Sequence, residues 1–149
     1  MAMHTWFECK IRYEKVMENG MQKKVTEPYL VDALSFTEAE ARIIEEMTPF
    51  ISGEFTVSDI KRANYSELFP SDEESADRWF KCKLIFITLD EKSGAEKKTS
   101  TQVLVQAADL RDAVKKLDEG MKGTMADYQI GMVSETPLMD VYPYSAEPN

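Results

Sequence analysis

The chain has 149 residues, 43% of them hydrophobic and 10% aromatic, with a formal net charge of −9 at pH 7. That length suits one ordinary domain or two half-domains sharing a core, and the acidity argues against sequence-independent wrapping of a phosphate backbone. The apolar runs fall far short of the roughly 20 residues a membrane helix needs, and the charged, alternating start has no secretory-type apolar stretch, so a cytoplasmic location is expected.

The first strand is read from Phe7, Cys9, Ile11 and Tyr13, which alternate with Glu8, Lys10, Arg12 and Glu14. A period of two is the pattern of a strand with one buried face. Asn19-Gly20 predicts a hairpin turn, after which Val25 to Ala33 returns as a second strand. Pro28 cannot donate to a ladder, so that strand should be an edge or bulged there. Ser35-Phe36-Thr37-Glu38 has the form of a capping box. It opens a helix whose apolar stripe is Phe36, Ala39, Ile43, Met47 and Phe50, with stop signals at Pro49 and Gly53. Residues 54–60 read as a third strand, and the acidic stretch 71–77 as a linker.

The same series then returns. Trp6-Phe7-Glu8-Cys9-Lys10-Ile11 is echoed 73 residues later by Trp79-Phe80-Lys81-Cys82-Lys83-Leu84. Lys23-Lys24 answers to Lys97-Lys98 and Leu30-Val31-Asp32-Ala33 to Leu104-Val105-Gln106-Ala107 at a spacing of 74, and Glu67-Leu68-Phe69-Pro70 to Asp140-Val141-Tyr142-Pro143 at 73 again. The second copy has its own turn at Ser93-Gly94, a helix opened by Asp109 with the stripe Leu110, Ala113, Val114, Leu117 and Met121, and a closing strand over 127–133. Its first strand is apolar on both faces toward its end, at Ile85 and Ile87, which predicts a central position or a covering partner. The expected fold is therefore α+β, an internal duplication of a β-β-α-β unit, with two pseudo-two-fold related copies, mainly antiparallel sheet and one packed helix each. One globular domain over 1–149 would hold copy one at 5–70, the linker at 71–77, copy two at 78–144 and a tail at 145–149.

Strand parity puts Trp6 and Trp79 on the sheet face opposite the inward apolar set, beside Lys10, Lys81 and Lys83. Such a face suits stacking of a base or planar ligand, although indoles more often pack under a neighbouring copy or partner. Lys23, Lys24, Lys97 and Lys98, with Lys10, Arg12, Lys61 and Arg62, offer two basic lobes for an anion; solvated lysines beside a turn are the ordinary explanation. Cys9 and Cys82 read as small buried hydrophobes. His4 is the single histidine, and no metal-ligand spacing, phosphate-binding glycine loop or nucleophile-base pair occurs. Glu38, Glu40, Glu45 and Glu46 lie on the polar side of a helix, with nothing to place two of them in a cleft. Neither catalysis, a metal nor a cofactor is expected.

The Trp-Phe-x-Cys-Lys opening, the stretch from Glu27 to Ala39 and the closing Asp140-Val141-Tyr142-Pro143 resemble a family of small uncharacterised proteins, a domain of unknown function, in Bacteroides-type gut anaerobes and their phages and mobile elements. The resemblance implies a small accessory protein and carries no functional residues. The leading expectation is a non-enzymatic, self-associating binding module whose Trp-bearing face or edge strand contacts another protein. The alternatives are a protein that binds nucleotides or single-stranded nucleic acid, and an acidic mimic of nucleic acid.

Overall fold

The computed structural model describes residues 5–143. His4, Tyr144 and the expected tail lie outside them. The elements are β1 (Trp6–Val16), β2 (Gln22–Asp32), α1 (Phe36–Met47), β3 (Phe55–Ala63), β4 (Glu67–Phe69), β5 (Arg78–Leu89), β6 (Glu96–Ala107), α2 (Leu110–Gly120), β7 (Asp127–Glu135) and β8 (Asp140–Tyr142). They form a mixed α+β fold with two four-stranded sheets, ordered β3-β1-β2-β8 and β4-β6-β5-β7.

In each sheet a long hairpin makes the centre. β1 and β2 run antiparallel without a break from Trp6 opposite Asp32 to Val16 opposite Gln22, and β5 and β6 do so from Arg78 opposite Ala107 to Leu89 opposite Glu96. Gly20 and Gly94 turn these hairpins at φ of +82° and +71°, a region that side chains with a Cβ disfavour. The third strands, β3 and β7, pair antiparallel with β1 and β5, each with a one-residue bulge, at Ser58 and at Gly131. Pro28 sits in an unbroken β1–β2 register, so the strand is not bulged there. Its carbonyl accepts a hydrogen bond from the Met139 N–H at 2.9 Å, which shows that its ring nitrogen faces outward, where no β1 carbonyl waits for a donor.

The fourth strands depart from the sequence reading. β4 lies within the expected first copy but pairs parallel with β6, and β8 lies within the expected second copy but pairs parallel with β2. The compact units are Met1–Asn64 with Pro137–Asn149, and Tyr65–Thr136. The stretch 71–77 is tied into the second unit. The Ser71 N–H donates to Gln106 Oε1 at 2.9 Å, and Lys116 Nζ donates to Ser71 Oγ at 3.0 Å while lying 3.4 Å from Glu73 and 3.1 Å from Asp112. In the first unit Arg42, at the seventh position of its helix as Lys116 is of its own, donates to the carbonyls of Asp32 and of Pro143, the latter at 3.3 Å. A cation on each helix thus fastens the chain that leaves the short parallel strand.

Each helix starts on a side-chain cap. Ser35 Oγ accepts from the Glu38 N–H at 3.1 Å, and Glu38 in return accepts from the Leu34 N–H at 3.0 Å. Asp109 and Asp112 repeat the exchange, with the Asp112 N–H on Asp109 at 2.8 Å and the Ala108 N–H on Asp112 at 2.9 Å. Ala39, Ile43 and Met47 then pack on Phe7, Cys9, Ile11, Val31 and Ala33. Ala113, Leu117 and Met121 pack on Phe80, Cys82, Leu84, Val103, Val105 and Ala107. The ends of the expected first stripe escape burial. Phe36 is 50% exposed, in a T-shaped contact with Phe7 at 4.9 Å between ring centres, and Phe50 lies beyond the helix end, 77% exposed. No helix among the described residues is long and apolar enough to cross a membrane.

The first unit has a tyrosine cluster that the second lacks. Glu27 accepts from Tyr13 Oη at 2.8 Å and Tyr29 Oη at 3.3 Å and pairs with Lys15 at 3.5 Å, while Tyr29 stacks on Tyr142. Burial, then the Glu27 carboxylate, pushes Tyr13 up from 10.0 to about 12; burial, then Asp140 and Glu46, does the same to Tyr142. A raised folded-state value favours the protonated form, so this contribution is complete below pH 10 and is lost as pH climbs through about 12. Urea midpoints measured from pH 9 upward are therefore expected to fall across the window from about 10 to about 12, and less steeply in Tyr13→Phe. An unchanged slope in that variant would contradict the assignment.

Candidate interaction surface on the second unit

Each sheet has one helix-covered face and one opposite face, and the register decides what the opposite face carries. In the first unit it is Trp6, Glu8, Lys10, Arg12 and Glu14 on β1. Glu8 stands across from Lys61, Lys10 from Asp59, and Glu14 from Lys24. Opposite charges at directly facing positions attract by a few tenths to about 1 kcal/mol and leave little net field. The expected basic face is in fact charge-balanced there.

The two tryptophans lie on this opposite face but are buried, at 2% exposure for Trp6 and 5% for Trp79, together with Leu30 and Leu104. Neither indole is an open plate on which a base can stack. The lysine pairs are also divided. Lys24 and Lys98 share the outer face, opposite Glu14 and Ile87, while Lys23 and Lys97 take the helix side, opposite Lys15 and Thr88. Alternation along a strand forces this split for any two consecutive residues, so neither pair makes a single lobe. Arg62 lies over the Phe7 ring at 6.0 Å, again on the helix side. Of the expected basic residues, Arg12 and Lys24 both line one open pocket of about 620 Å³, but Glu14 and Glu54 line it too.

The second unit presents a different outer face. After Trp79 come Lys81 and Lys83, half-buried, then Ile85 and Ile87, also half-buried, with Leu89 exposed. Lys81 faces Leu104 and Ser134, Lys83 faces Gln102 and Met132, and Ile85 faces Ser100 and Gln129. No carboxylate opposes either lysine in the register. The Gly131 bulge leaves room for Ile85, since a Cβ at that glycine would stand 2.9 Å from Ile85 Cδ1. The isoleucine thereby lies flat over the bulge and extends the apolar surface toward Met132, which is 44% exposed.

A family model described as Domain of unknown function (DUF4494) matches residues 5–144. The chain belongs to the DUF4494 family. No curated protein and no solved structure matches it.

Cys9 and Cys82 are free and fully buried in separate helix-side cores. Burial, with the Glu8 and Asp59 carboxylates in the case of Cys9, pushes the thiols up to about 12 and about 11, so neither is a thiolate at neutral pH. Ser71, Asp72, Glu73, Lys116 and Glu119 line a second open pocket, of about 710 Å³, in which Lys116 is already shared between Ser71, Glu73 and Asp112. Sequence reasoning passed over Arg42 and Lys116 although they stand 74 apart, the spacing of the other echoes. It also weighed the lysines above the isoleucines, because it had no register with which to see which charges were matched.

Proposed function

We propose that this DUF4494 chain is a non-enzymatic binding module that contacts a protein partner through the outer face of its second sheet. One observation carries the reading: where the first unit has facing charge pairs, the second has Ile85, Ile87 and Met132 beside lysines without facing carboxylates. Apolar side chains rimmed by unmatched charge are the composition of a recognition surface, and a soluble monomer gains nothing from displaying them. The repeated order of elements supports a duplication that left one copy as scaffold and freed the other's outer face to diverge. A cytoplasmic accessory role in a phage or mobile element rests on the sequence resemblance.

Binding of nucleotides or single strands has less support, because the tryptophans are buried and the lysine pairs split between faces. Tryptophan emission titrated with nucleotides and short single strands is expected to stay flat at low and high salt; salt-sensitive quenching would favour that alternative.

The test of the main reading is a photoreactive amino acid placed at Gln129, which faces Ile85, or at Thr56, which faces Arg12 at the matching place in the first sheet. In the cells that make the protein, protein adducts are expected from Gln129 and not from Thr56, and Ile87→Lys should remove them. Equal labelling from both sites, or adducts to nucleic acid alone, would overturn the reading.

A further inference from the structure

The second sheet ends on β7, which has β5 on one side and, among the described residues, no strand on the other; β3 holds the same place in the first sheet. An edge strand offers unpaired N–H and C=O groups, and folded proteins block it with charges, prolines or bulges. The bulge is common to both edges, so it does not distinguish them. The charges do. β3 carries Asp59, Lys61 and Arg62 in its interior, whereas β7 has no charged residue and no proline between Asp127 and Glu135. Ile130 is 37% exposed on that edge, and the bulge turns Ile130 and Met132 to opposite faces, since they stand across from Leu84 and Lys83.

We propose that β7 receives an extended segment of a protein partner as a fifth, antiparallel strand, with apolar side chains beside Ile130 and Met132 and a basic residue near the segment's C-terminal end. This deepens the reading above and rests on it, since the added strand would border the same outer face. Main-chain bonding gives such a complex its affinity, and alternate side chains give it specificity. The polarity follows from the two ends of β7. At its start Asp127 stands across from Ile87 and has no facing cation; at its finish Glu135 is matched by Arg78 at 3.6 Å. An antiparallel segment lays its C-terminal end beside Asp127, where a lysine or arginine meets unmatched carboxylate. A second copy of this chain fits worse. Paired antiparallel about Gly131, its β7 would set Glu135 against Asp127, and a net charge of −9 opposes self-association.

The experiment uses the full chain and three labelled synthetic peptides of alternating valine and threonine: one ending in lysines, one ending in glutamates, and one lysine-ended with a central proline. Hydrogen exchange of the amides over 127–135 and fluorescence anisotropy are the readouts. The lysine-ended peptide should slow exchange in β7 and bind about fivefold or more tightly than the glutamate-ended one, and the proline peptide should give no protection. Ile130→Lys, a change at an exposed position that leaves the core intact, should abolish the protection. Absence of protection with every peptide, equal binding of the two charged ends, or protection of β3 instead would overturn strand addition. If Gln129 adducts nonetheless persist in Ile130→Lys and vanish in Ile87→Lys, the outer-face reading stands and only the strand addition fails.

Discussion

Ending the chain after Thr136 is expected to destabilise the N-terminal unit while leaving the ladder nearest the new terminus in place. The missing segment includes β8, which pairs with Tyr29, Leu30 and Val31 of β2. It also carries the Met139 N–H that bonds the Pro28 carbonyl at 2.9 Å, the Pro143 carbonyl that accepts from Arg42, and Tyr142, which stacks on Tyr29 with ring centres 6.2 Å apart. At about 1 kcal/mol for each hydrogen bond and about the same for the aromatic contact, with buried Val141 and Leu138 lost besides, a deficit of about 3 kcal/mol or more is expected. Hydrogen exchange should quicken over 28–32, more than a hundred residues before the new terminus, while β4 and β6 keep their protection. Faster exchange over β5 to β7 with β2 unchanged would contradict the assignment of β8.

Leu117→Ala is expected to be a costly truncation in the second unit. Leu117 is fully buried on the inner stripe of α2, in the cluster formed with Phe80, Cys82, Leu84, Val103 and Val105. Its neighbours are strand residues held by a continuous β5–β6 ladder, so they have little freedom to collapse into the space it leaves. Losing a buried leucine under those conditions costs about 3 kcal/mol, and up to about 5 where the site stays rigid. Leu34→Ala serves as the control, since Leu34 is 84% exposed and its loss should change stability by about 0.5 kcal/mol or less. Urea denaturation distinguishes the two; a Leu117→Ala cost no larger than that of Leu34→Ala would mean that α2 does not seat its apolar stripe on this sheet.

The strands and helices were legible because their patterns are long enough to count. Phe7, Cys9, Ile11 and Tyr13 fix one parity over seven residues, and Ser35 and Asp109 announce their helices by side-chain chemistry that acts within one turn. The bulges were not legible, because Ser58 and Gly131 are defined only against their partners β1 and β5. β4 and β8 were invisible for a different reason. Three residues are too few to show a period, and the motif Glu67-Leu68-Phe69-Pro70 falls in the first copy by its spacing of 73 from Asp140-Val141-Tyr142-Pro143, which says nothing of its pairing. The candidate surface was half legible. Ile85 and Ile87 were noticed as apolar on a face that should be polar, but the worth of the lysines depended on what stood across from them, and only the register supplied Asp59, Lys61 and Glu14 as the matching charges of the first unit.

The account turns on each sheet being completed by a short strand from the opposite half of the sequence, because that exchange caps one edge of each sheet and leaves β3 and β7 as the long open edges. Paired cysteines test it most directly. Tyr29→Cys with Asp140→Cys joins β2 to β8, and Glu67→Cys with Val103→Cys joins β4 to β6, both at directly facing positions. Cys9 faces Tyr29 and Cys82 faces Val103 in the register, so both native cysteines are replaced by alanine in every variant. Mild oxidation is expected to give an intramolecular disulfide in each of these two variants, read by mass spectrometry of the proteolysed protein, and none in Tyr29→Cys with Glu67→Cys. A disulfide in that third variant, with the first two left reduced, would show each short strand closing its own copy and would contradict the account.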